Sequence, residues 1–189
     1  MAHYIKVSIV SFLVSLLSIY CYPQSCCSLS GFPNAFSVSI DNTAGAAQTN
    51  YAVRIEIDTQ TPIGAGDMNV DGSDIRFLDD DCATPLDYFI CGGINTTATE
   101  IWVLLPNLAA GATKDILLFY GNSGATAMSN QTAVFPNSYT HAGGALAGVQ
   151  NYDFFEVPAG VTLNTTAGDI LTINARKVLI NGNINGDGL

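Results

Sequence analysis

The sequence contains few charged residues, and those few are mostly acidic. Charged residues make up 12% of the 189 positions, about half of the roughly 25% that is usual for soluble domains. Six are basic and sixteen are acidic, which gives a net charge of −10 at pH 7. Such a chain repels phosphate backbones and anionic surfaces. We therefore expect no nucleic-acid partner.

The sequence also lacks the common signatures of catalysis. It has no phosphate-binding loop, no HExxH and no spaced Cys/His set, and a Ser-His-Asp triad would depend on His141 in a glycine-rich stretch. Glu56, Asp58 and Gln60 are spaced like the acidic strand of sandwich glycosidases. However, Gln60 stands where the general acid belongs, and an amide cannot donate that proton. We expect no enzyme activity, with a degenerate glycosidase-like sandwich as one alternative.

No uncharged apolar run reaches the roughly twenty residues that a membrane-spanning helix needs. The longest follows Lys6 and reads VSIVSFLVSLLSIY, about the length of the hydrophobic region of a signal peptide. We predict a signal peptide over residues 1–25, a secreted or cell-surface location, and no membrane insertion after cleavage. A buried N-terminal helix is the alternative.

Four cysteines follow the predicted signal peptide: Cys26, Cys27, Cys82 and Cys91. An even number in an oxidising compartment indicates up to two disulfides. A zinc site is disfavoured because the cysteines lack a close C-x-x-C or histidine pairing. Cys82 and Cys91 would lie too far apart along an extended strand to bridge each other, which favours bonds from Cys26 and Cys27 to these two.

Apolar residues alternate with polar ones in a pattern that predicts β-strands. Phe36, Val38 and Ile40 alternate with serines, and residues 51–57 show the same period of two. Further strand-like blocks are IRF at 75–77, YFIC at 88–91, IWVLLP at 101–106 and ILLFYG at 116–121. No segment shows a helical stripe. The pattern predicts an all-β fold, with an antiparallel β-sandwich of jelly-roll or concanavalin-like type over residues 26–135.

The composition changes after this predicted sandwich. Residues 136–151 are rich in glycine and alanine and are predicted to form a linker. Residues 152–189 contain short Val/Ile/Leu segments with Gly, Asn and Asp at the corners, which is typical of a parallel β-solenoid. One or two rungs leave a sheet edge unpaired. We therefore expect an incomplete solenoid, belonging to a longer protein or self-associating through its strands; alternatively, these strands join the sandwich.

From Val38 to about Asn130, the sequence resembles a family catalogued as domain of unknown function 2341, found in exported bacterial and archaeal proteins. The matching blocks are IDNT at 40–43, YAVRIEID at 51–58, GSDIRFLDDD at 72–81, TPLDYFI at 84–90, EIWVLLPNL at 100–108 and LLFYGN at 117–122. The resemblance implies a β-sandwich in a multi-module surface protein, often beside adhesion or carbohydrate-binding modules, and brings no catalytic residues. We therefore expect adhesion or binding of a glycan or surface polymer, with a structural subunit or spacer as the alternative.

Two acidic segments are candidate cation sites. Residues 67–74 begin like a calcium loop, with Asp67, Asn69 and Asp71 as candidate ligands. Leu78 stands where the bidentate glutamate of such a loop belongs, so we favour a polar turn. Calcium is the one cofactor that the sequence suggests. The run Asp79–Asp81 is likewise interpreted as a turn between strands.

Aromatic residues are the remaining candidates for ligand contact. Trp102 and Phe119 lie within apolar strands and are expected to be buried in the core. Tyr88 and Tyr120 each combine an apolar ring with a polar end, so we predict that these two contact a sugar at the surface.

Overall fold

The structure is a computed structural model that describes residues 6–8, 27–166 and 168–186. The chain divides into two compact units, residues 1–130 and residues 131–189. Within the described residues, no helix has both the length and the apolar character required to cross a membrane. Of the predicted signal peptide, only residues 6–8 are described, and they form a short strand. The rest of that peptide and Cys26 lie outside the described residues.

The described part of the first unit contains seven strands and one short helix. They are β1 (Lys6–Ser8), β2 (Asn34–Asn42), β3 (Gln48–Ile57), α1 (Gln60–Ala65), β4 (Arg76–Leu78), β5 (Tyr88–Gly92), β6 (Thr99–Leu108) and β7 (Ala112–Tyr120). One sheet has the order β1-β2-β7-β4 and the other β3-β6-β5. Every pairing in these two sheets is antiparallel.

One hydrophobic core joins the two sheets. Val38 and Ile40 of β2 and Ile116 of β7 contribute from the first sheet, and Ile55 of β3 and Ile101 of β6 contribute from the second. All five are at most 1% exposed. Two sheets that share one apolar layer form a β-sandwich. The antiparallel all-β prediction is therefore confirmed, and the alternating residues of β2 and β3 supply the buried face as expected.

The helix α1 was not predicted. It spans six residues and ends at Gly66, whose φ of 80° is left-handed. An element this short covers fewer than two turns, so it cannot show the 3.6-residue periodicity on which helix prediction rests.

The second unit is a parallel β-solenoid. Its described elements are α2 (Gln131–Val134), β8 (Ser138–Thr140), β9 (Gly144–Leu146), β10 (Gly148–Asn151), β11 (Phe154–Val157), β12 (Thr162–Thr165), β13 (Leu171–Asn174), β14 (Lys177–Ile180) and β15 (Asn183–Asn185). They form three parallel walls with the orders β8-β11-β14, β9-β12-β15 and β10-β13. The short parallel strands predicted for the C-terminal part are confirmed.

Successive rungs stack residue on residue. Tyr139 of the first rung pairs with Phe155 of the second, which pairs with Val178 of the third. Phe155, Val157 and Leu163 form the fully buried centre of this unit. The middle rung, β11 to β13, therefore carries the solenoid core.

The solenoid begins earlier than predicted, and the expectation of a linker over residues 136–151 is wrong. This segment contains β8, β9 and β10, which form the first rung. Its Gly143, Gly144 and Gly148 have φ angles of 108°, 95° and 68°, which residues with a Cβ rarely adopt. The glycines that suggested a flexible linker are the residues that turn the chain between first-rung strands.

Candidate functional site

The polar loop between α1 and β4 is built around the buried carboxylate of Asp74. This side chain is 0% exposed. Its Oδ1 accepts the backbone N–H of Asn69 at 3.0 Å, and its Oδ2 accepts the backbone N–H of Gly121 at 2.8 Å. Hydrogen bonds to a carboxylate are stronger than those between neutral groups. Asp74 therefore ties this loop, which leads into β4, to the end of β7.

Glycine is required at position 121, where the end of β7 contacts Asp74. Its φ is 102°, and a Cβ at this position would lie 2.7 Å from Nδ2 of Asn34 and 2.9 Å from Cγ of Pro33. A side chain would push this backbone away from Asp74. The blocks GSDIRF and FYGN, which carry much of the family resemblance, thus meet through one hydrogen-bonded clasp, made of Asp74 and the N–H groups of Asn69 and Gly121.

Arg76 and Tyr88 also donate hydrogen bonds to backbone carbonyls in this region. Arg76 donates through Nη1 to the carbonyl of Ser73 at 2.9 Å and through Nη2 to the carbonyl of Thr126 at 2.7 Å. The hydroxyl of Tyr88 donates to the carbonyl of Ile75 at 2.7 Å. These groups satisfy backbone carbonyls next to a short strand, so their role is to fix the loops.

The candidate calcium ligands lie in the loop that Asp74 organises. Asp67 and Asp71 are exposed, and Asn69 is half-buried with its side-chain amide donating to Oγ of Ser73 at 2.9 Å. Oδ1 of Asp71 accepts the N–H of Ser73 at 3.0 Å, and hydrogen bonds from Ser73 lower the pKa of Asp71. Within the described residues, no group of three or more His, Cys, Asp or Glu side chains is arranged to hold a metal. Calcium binding here remains a hypothesis.

The prediction that Tyr88 contacts a ligand at the surface is wrong. Tyr88 is 2% exposed and belongs to the sandwich core. It pairs with Val103 on β6, which also faces the core, and its ring lies 5.3 Å from that of Phe77. Burial raises the pKa of its hydroxyl. The polar end that suggested a surface position is satisfied internally by the Ile75 carbonyl.

Tyr120, the other predicted contact, remains partly exposed. It lies at the end of β7, and its ring makes an edge-to-face contact with Phe36, with 6.3 Å between the centroids. Burial, followed by the negative charges of Asp67 and Asp74, raises the pKa of the Tyr120 hydroxyl. The charge of the exposed Asp67 therefore acts on the Tyr120 hydroxyl. We call Tyr120, Phe36 and Asp67 the Tyr120 patch.

Trp102 and Phe119 are buried as predicted, at 8% and 1% exposure. They do not, however, belong to the core that joins the sheets. Trp102 alternates with the core residues Ile101 and Val103, so its side chain projects from the outer face of its sheet. Its indole Nε1 donates to Oε1 of Glu100 at 2.8 Å.

The structure also brings Glu56 next to a carboxylate that the sequence did not suggest. Glu56 pairs with Glu100 across β3 and β6, and the guanidinium of Arg54 forms ion pairs with both, with Nε lying 3.2 Å from Oε2 of Glu100. Burial would lower the pKa of Arg54, but the charges and hydrogen bonds of Glu100 and Glu56 outweigh this and raise it. Cross-strand register, which no local motif encodes, creates this network.

Asp58 and Gln60, the other members of the glycosidase-like spacing, have local roles. Asp58 accepts the hydroxyl of Thr61 at 2.7 Å and its N–H at 3.1 Å, and these bonds lower the pKa of Asp58. Gln60 is the first residue of α1. Asp58 therefore supports the start of that helix.

His141 is the only histidine after the predicted signal peptide. It is 1% exposed, and neither of its ring nitrogens has a hydrogen-bond partner among the described residues.

The run Asp79–Asp81 forms a turn, as interpreted from the sequence. Nζ of Lys114 lies 2.7 Å from Oδ1 of Asp79 and 3.3 Å from Oδ1 of Asp80. Burial would lower the pKa of Lys114, but the charges and hydrogen bonds of these two aspartates outweigh the effect of burial. The pKa of Lys114 is therefore raised. Hydrogen bonds, chiefly from the hydroxyl and N–H of Thr84, lower the pKa of Asp81 to about 2. These carboxylates serve the turn and a neighbouring strand.

A disulfide anchors this turn. Cys27 and Cys82 are bonded, with 5.3 Å between their Cα atoms and 55 residues between them in sequence. This confirms one of the predicted links from the N-terminal cysteine pair to the later cysteines. Cys91 lies half-buried on β5, and Cys26 falls outside the described residues. The disulfide holds the segment before β2 against the turn after β4.

The fold and these contacts define a class of protein, in which a disulfide-linked antiparallel β-sandwich precedes a parallel β-solenoid. The profile of the family described as domain of unknown function DUF2341 matches residues 71–165, just over half of the chain. The chain belongs to this family. The match begins at the Asp74 loop, later than the resemblance from Val38, and extends into the middle rung of the solenoid. No curated protein and no solved structure gave a significant match.

Proposed function

We propose that this chain is a non-enzymatic module of an extracellular surface protein and that it binds a carbohydrate through the Tyr120 patch. The observation that carries the proposal is the half-buried edge-to-face pair of Tyr120 and Phe36, with the negative charge of the exposed Asp67 acting on the Tyr120 hydroxyl. An aromatic face with one polar end and a neighbouring carboxylate offers a sugar both a stacking surface and a hydrogen-bond acceptor.

The proposed location rests on the cysteines and on the N-terminal sequence. A disulfide between Cys27 and Cys82 is expected in an oxidising compartment and is rare in the cytosol. The apolar run after Lys6 has the length and position of a signal peptide. Secretion to the cell surface or the extracellular space accounts for both features.

The net charge favours one class of carbohydrate. At −10, the chain repels polyanions such as sulfated or uronate-rich polymers. The exposed carboxylate of Asp67 adds a negative charge that acts on the Tyr120 hydroxyl. We therefore expect a neutral glycan, whose hydroxyls donate to the carboxylate.

Binding to an array of neutral and acidic glycans tests this proposal. Tyr120→Ala should abolish the signal for the bound glycan, whereas Tyr120→Phe should retain most of it because the stacking surface remains. Tyr51→Ala is the matched control, since Tyr51 is also a partly buried tyrosine packed on the sandwich core. A folded wild-type protein that binds no glycan, or equal losses in the Tyr120 and Tyr51 variants, would contradict the proposal.

A structural subunit or spacer is the second candidate function, and the β-solenoid favours it. Parallel rungs that pair only with their neighbours form an extended support. Association of copies without any glycan signal would favour this function over carbohydrate binding. Turnover of a polysaccharide that is lost on Glu56→Gln would overturn the non-enzymatic assignment altogether.

A further inference from the structure

Asn34, the first residue of β2, lies beside the Tyr120 patch. It is directly opposite Tyr120 in the antiparallel pair of β2 and β7, and opposite residues in such a pair share a face, with their Cβ atoms about 5 Å apart. Val38 and Ile40 continue this face of β2 into the core and are fully buried. Asn34 and Phe36 on the same face are half-buried. The core-facing side of β2 therefore reaches the surface at Asn34, next to the ring of Tyr120.

The fold does not use the side-chain polar atoms of Asn34. Neither its side-chain amide nor the hydroxyl of Tyr120 has a hydrogen-bond partner among the described residues. Asn42, at the opposite end of the same face of β2, is 4% exposed and donates through Nδ2 to the carbonyls of Ala46 and Ala109 at 3.1 Å and 2.7 Å. One asparagine of this face therefore holds loops together, and the other keeps its donors and its acceptor available to a ligand.

The surroundings of the Asn34 amide fix its position. Its Nδ2 lies against Gly121, where a Cβ would approach it to 2.7 Å. Gly121 is in turn held by Oδ2 of Asp74, which accepts its N–H at 2.8 Å. An amide that is already placed beside the Tyr120 ring loses little conformational freedom on binding. The clasp therefore presents Asn34 and Tyr120 to a ligand in a defined arrangement.

These two side chains combine an apolar and a polar means of recognition. The ring of Tyr120 offers a stacking surface. The carboxamide of Asn34 offers N–H donors and a C=O acceptor side by side. Of two hydroxyls on neighbouring carbons of a sugar, one can accept from the amide N–H while the other donates to the amide oxygen. A carboxylate in place of the amide could only accept.

We propose that Asn34 sets the specificity of the carbohydrate site by binding two adjacent hydroxyls of the sugar that stacks on Tyr120. This inference rests on the proposed carbohydrate binding and narrows the ligand to neutral sugars with two free hydroxyls on neighbouring carbons. A site built to hydrogen-bond a hydroxyl discriminates against an analogue that lacks it, because the polar group of the site is left unpaired. Since Asn34 is half-buried, we expect a loss of about tenfold in affinity for each hydroxyl removed.

Titration of the full chain with the methyl glycosides of glucose, galactose and mannose, and with the monodeoxy analogues of each, tests this inference. For the sugar that binds, the wild type should bind two monodeoxy analogues about tenfold more weakly than the parent, with the two missing hydroxyls on neighbouring carbons. Asn34→Ala should bind the parent sugar and these two analogues equally weakly, because it lacks the amide that distinguishes them. A residue with a purely structural role would lower all the affinities without changing their ratios.

Asn107→Ala is the matched control, because Asn107 is an exposed asparagine near the end of β6, and it should keep the wild-type discrimination. Asn34→Ala should keep the wild-type urea midpoint, since its amide has no partner among the described residues. If Asn34→Ala still distinguished the parent sugar from the two analogues while Tyr120→Ala abolished binding, this inference would fail and the carbohydrate proposal would stand. A folded wild type that binds none of these sugars would overturn both.

Discussion

Replacing Asp74 by asparagine tests whether one buried carboxylate holds the loop end of the sandwich. Asp74 accepts two backbone N–H groups, from Asn69 at 3.0 Å and Gly121 at 2.8 Å, and is 0% exposed. Asparagine has nearly the same shape but only one side-chain oxygen. One of the two N–H groups would therefore face an amide NH₂ group.

The size of the effect follows from these two bonds. A hydrogen bond to a charged group contributes about 1.5–3 kcal/mol, and a buried donor left without an acceptor costs a similar amount. Asp74→Asn should therefore lower the free energy of unfolding by about 2–3 kcal/mol. Asp74→Ala, which leaves both donors without the carboxylate, should cost about 3–5 kcal/mol, a large part of the 5–15 kcal/mol typical of a domain.

Urea unfolding followed by tryptophan fluorescence measures this loss. The chain has one tryptophan, Trp102 on β6, so its emission reports on the sandwich and not on the solenoid. We expect the urea midpoint to fall while the slope of the transition stays constant, because the surface exposed on unfolding is unchanged.

Asp71→Asn is the control for this experiment. Asp71 lies in the same loop and also accepts a backbone N–H, that of Ser73 at 3.0 Å, but its side chain is exposed. Surface substitutions usually change stability by no more than about 0.5 kcal/mol. If Asp74→Asn changed stability as little as this control, the clasp would not be the interaction that holds the loop.

Three further predictions concern the disulfide, the acidic turn and the buried histidine. Changing Cys27 and Cys82 together to serine should lower the free energy of unfolding by about 4 kcal/mol, since the unfolded chain regains the freedom of a 55-residue loop; unchanged urea midpoints would contradict this. Asp81 has its pKa lowered from 3.8 to about 2, so its stabilising effect should be complete above pH 4 and lost as the pH falls towards 2. The stability of Asp81→Asn should not show this loss between pH 4 and pH 2. If the acid unfolding curves of the variant and the wild type superimposed, the assignment of this loss to Asp81 would be refuted. His141→Leu should stabilise the second unit by about 1 kcal/mol or more, because it removes buried ring nitrogens that lack partners among the described residues; a lower midpoint in thermal circular dichroism would count against it.

The strands were predictable because their signal is local. In β2, the residues that alternate as apolar in the sequence, Val38 and Ile40, are the residues that the structure buries. The hydrophobic period follows directly from strand geometry, in which successive side chains point to opposite faces. The same argument correctly predicted the parallel strands of the solenoid from short apolar segments between corner residues.

Two predictions are wrong because strand pairing and core contacts outweigh local composition. The glycine-rich segment 136–151 forms the first rung because β8, β9 and β10 find parallel partners in the next rung. The hydroxyl of Tyr88 favours a surface position, yet it donates its hydrogen bond to the carbonyl of Ile75 inside the core. Neither partner is close in sequence to the misjudged feature or marked by a local motif.

The sequence by itself determined the all-β class, the family and the succession of a sandwich followed by solenoid strands, since strand period and turn residues are properties of short segments. The tertiary structure decided which polar groups meet. Asp74 reaches Gly121 at a sequence distance of 47 residues, Arg54 joins Glu56 to Glu100, and Tyr120 comes to lie beside Phe36. These contacts depend on strand order and register, which arise only when the sheets pack around a common core.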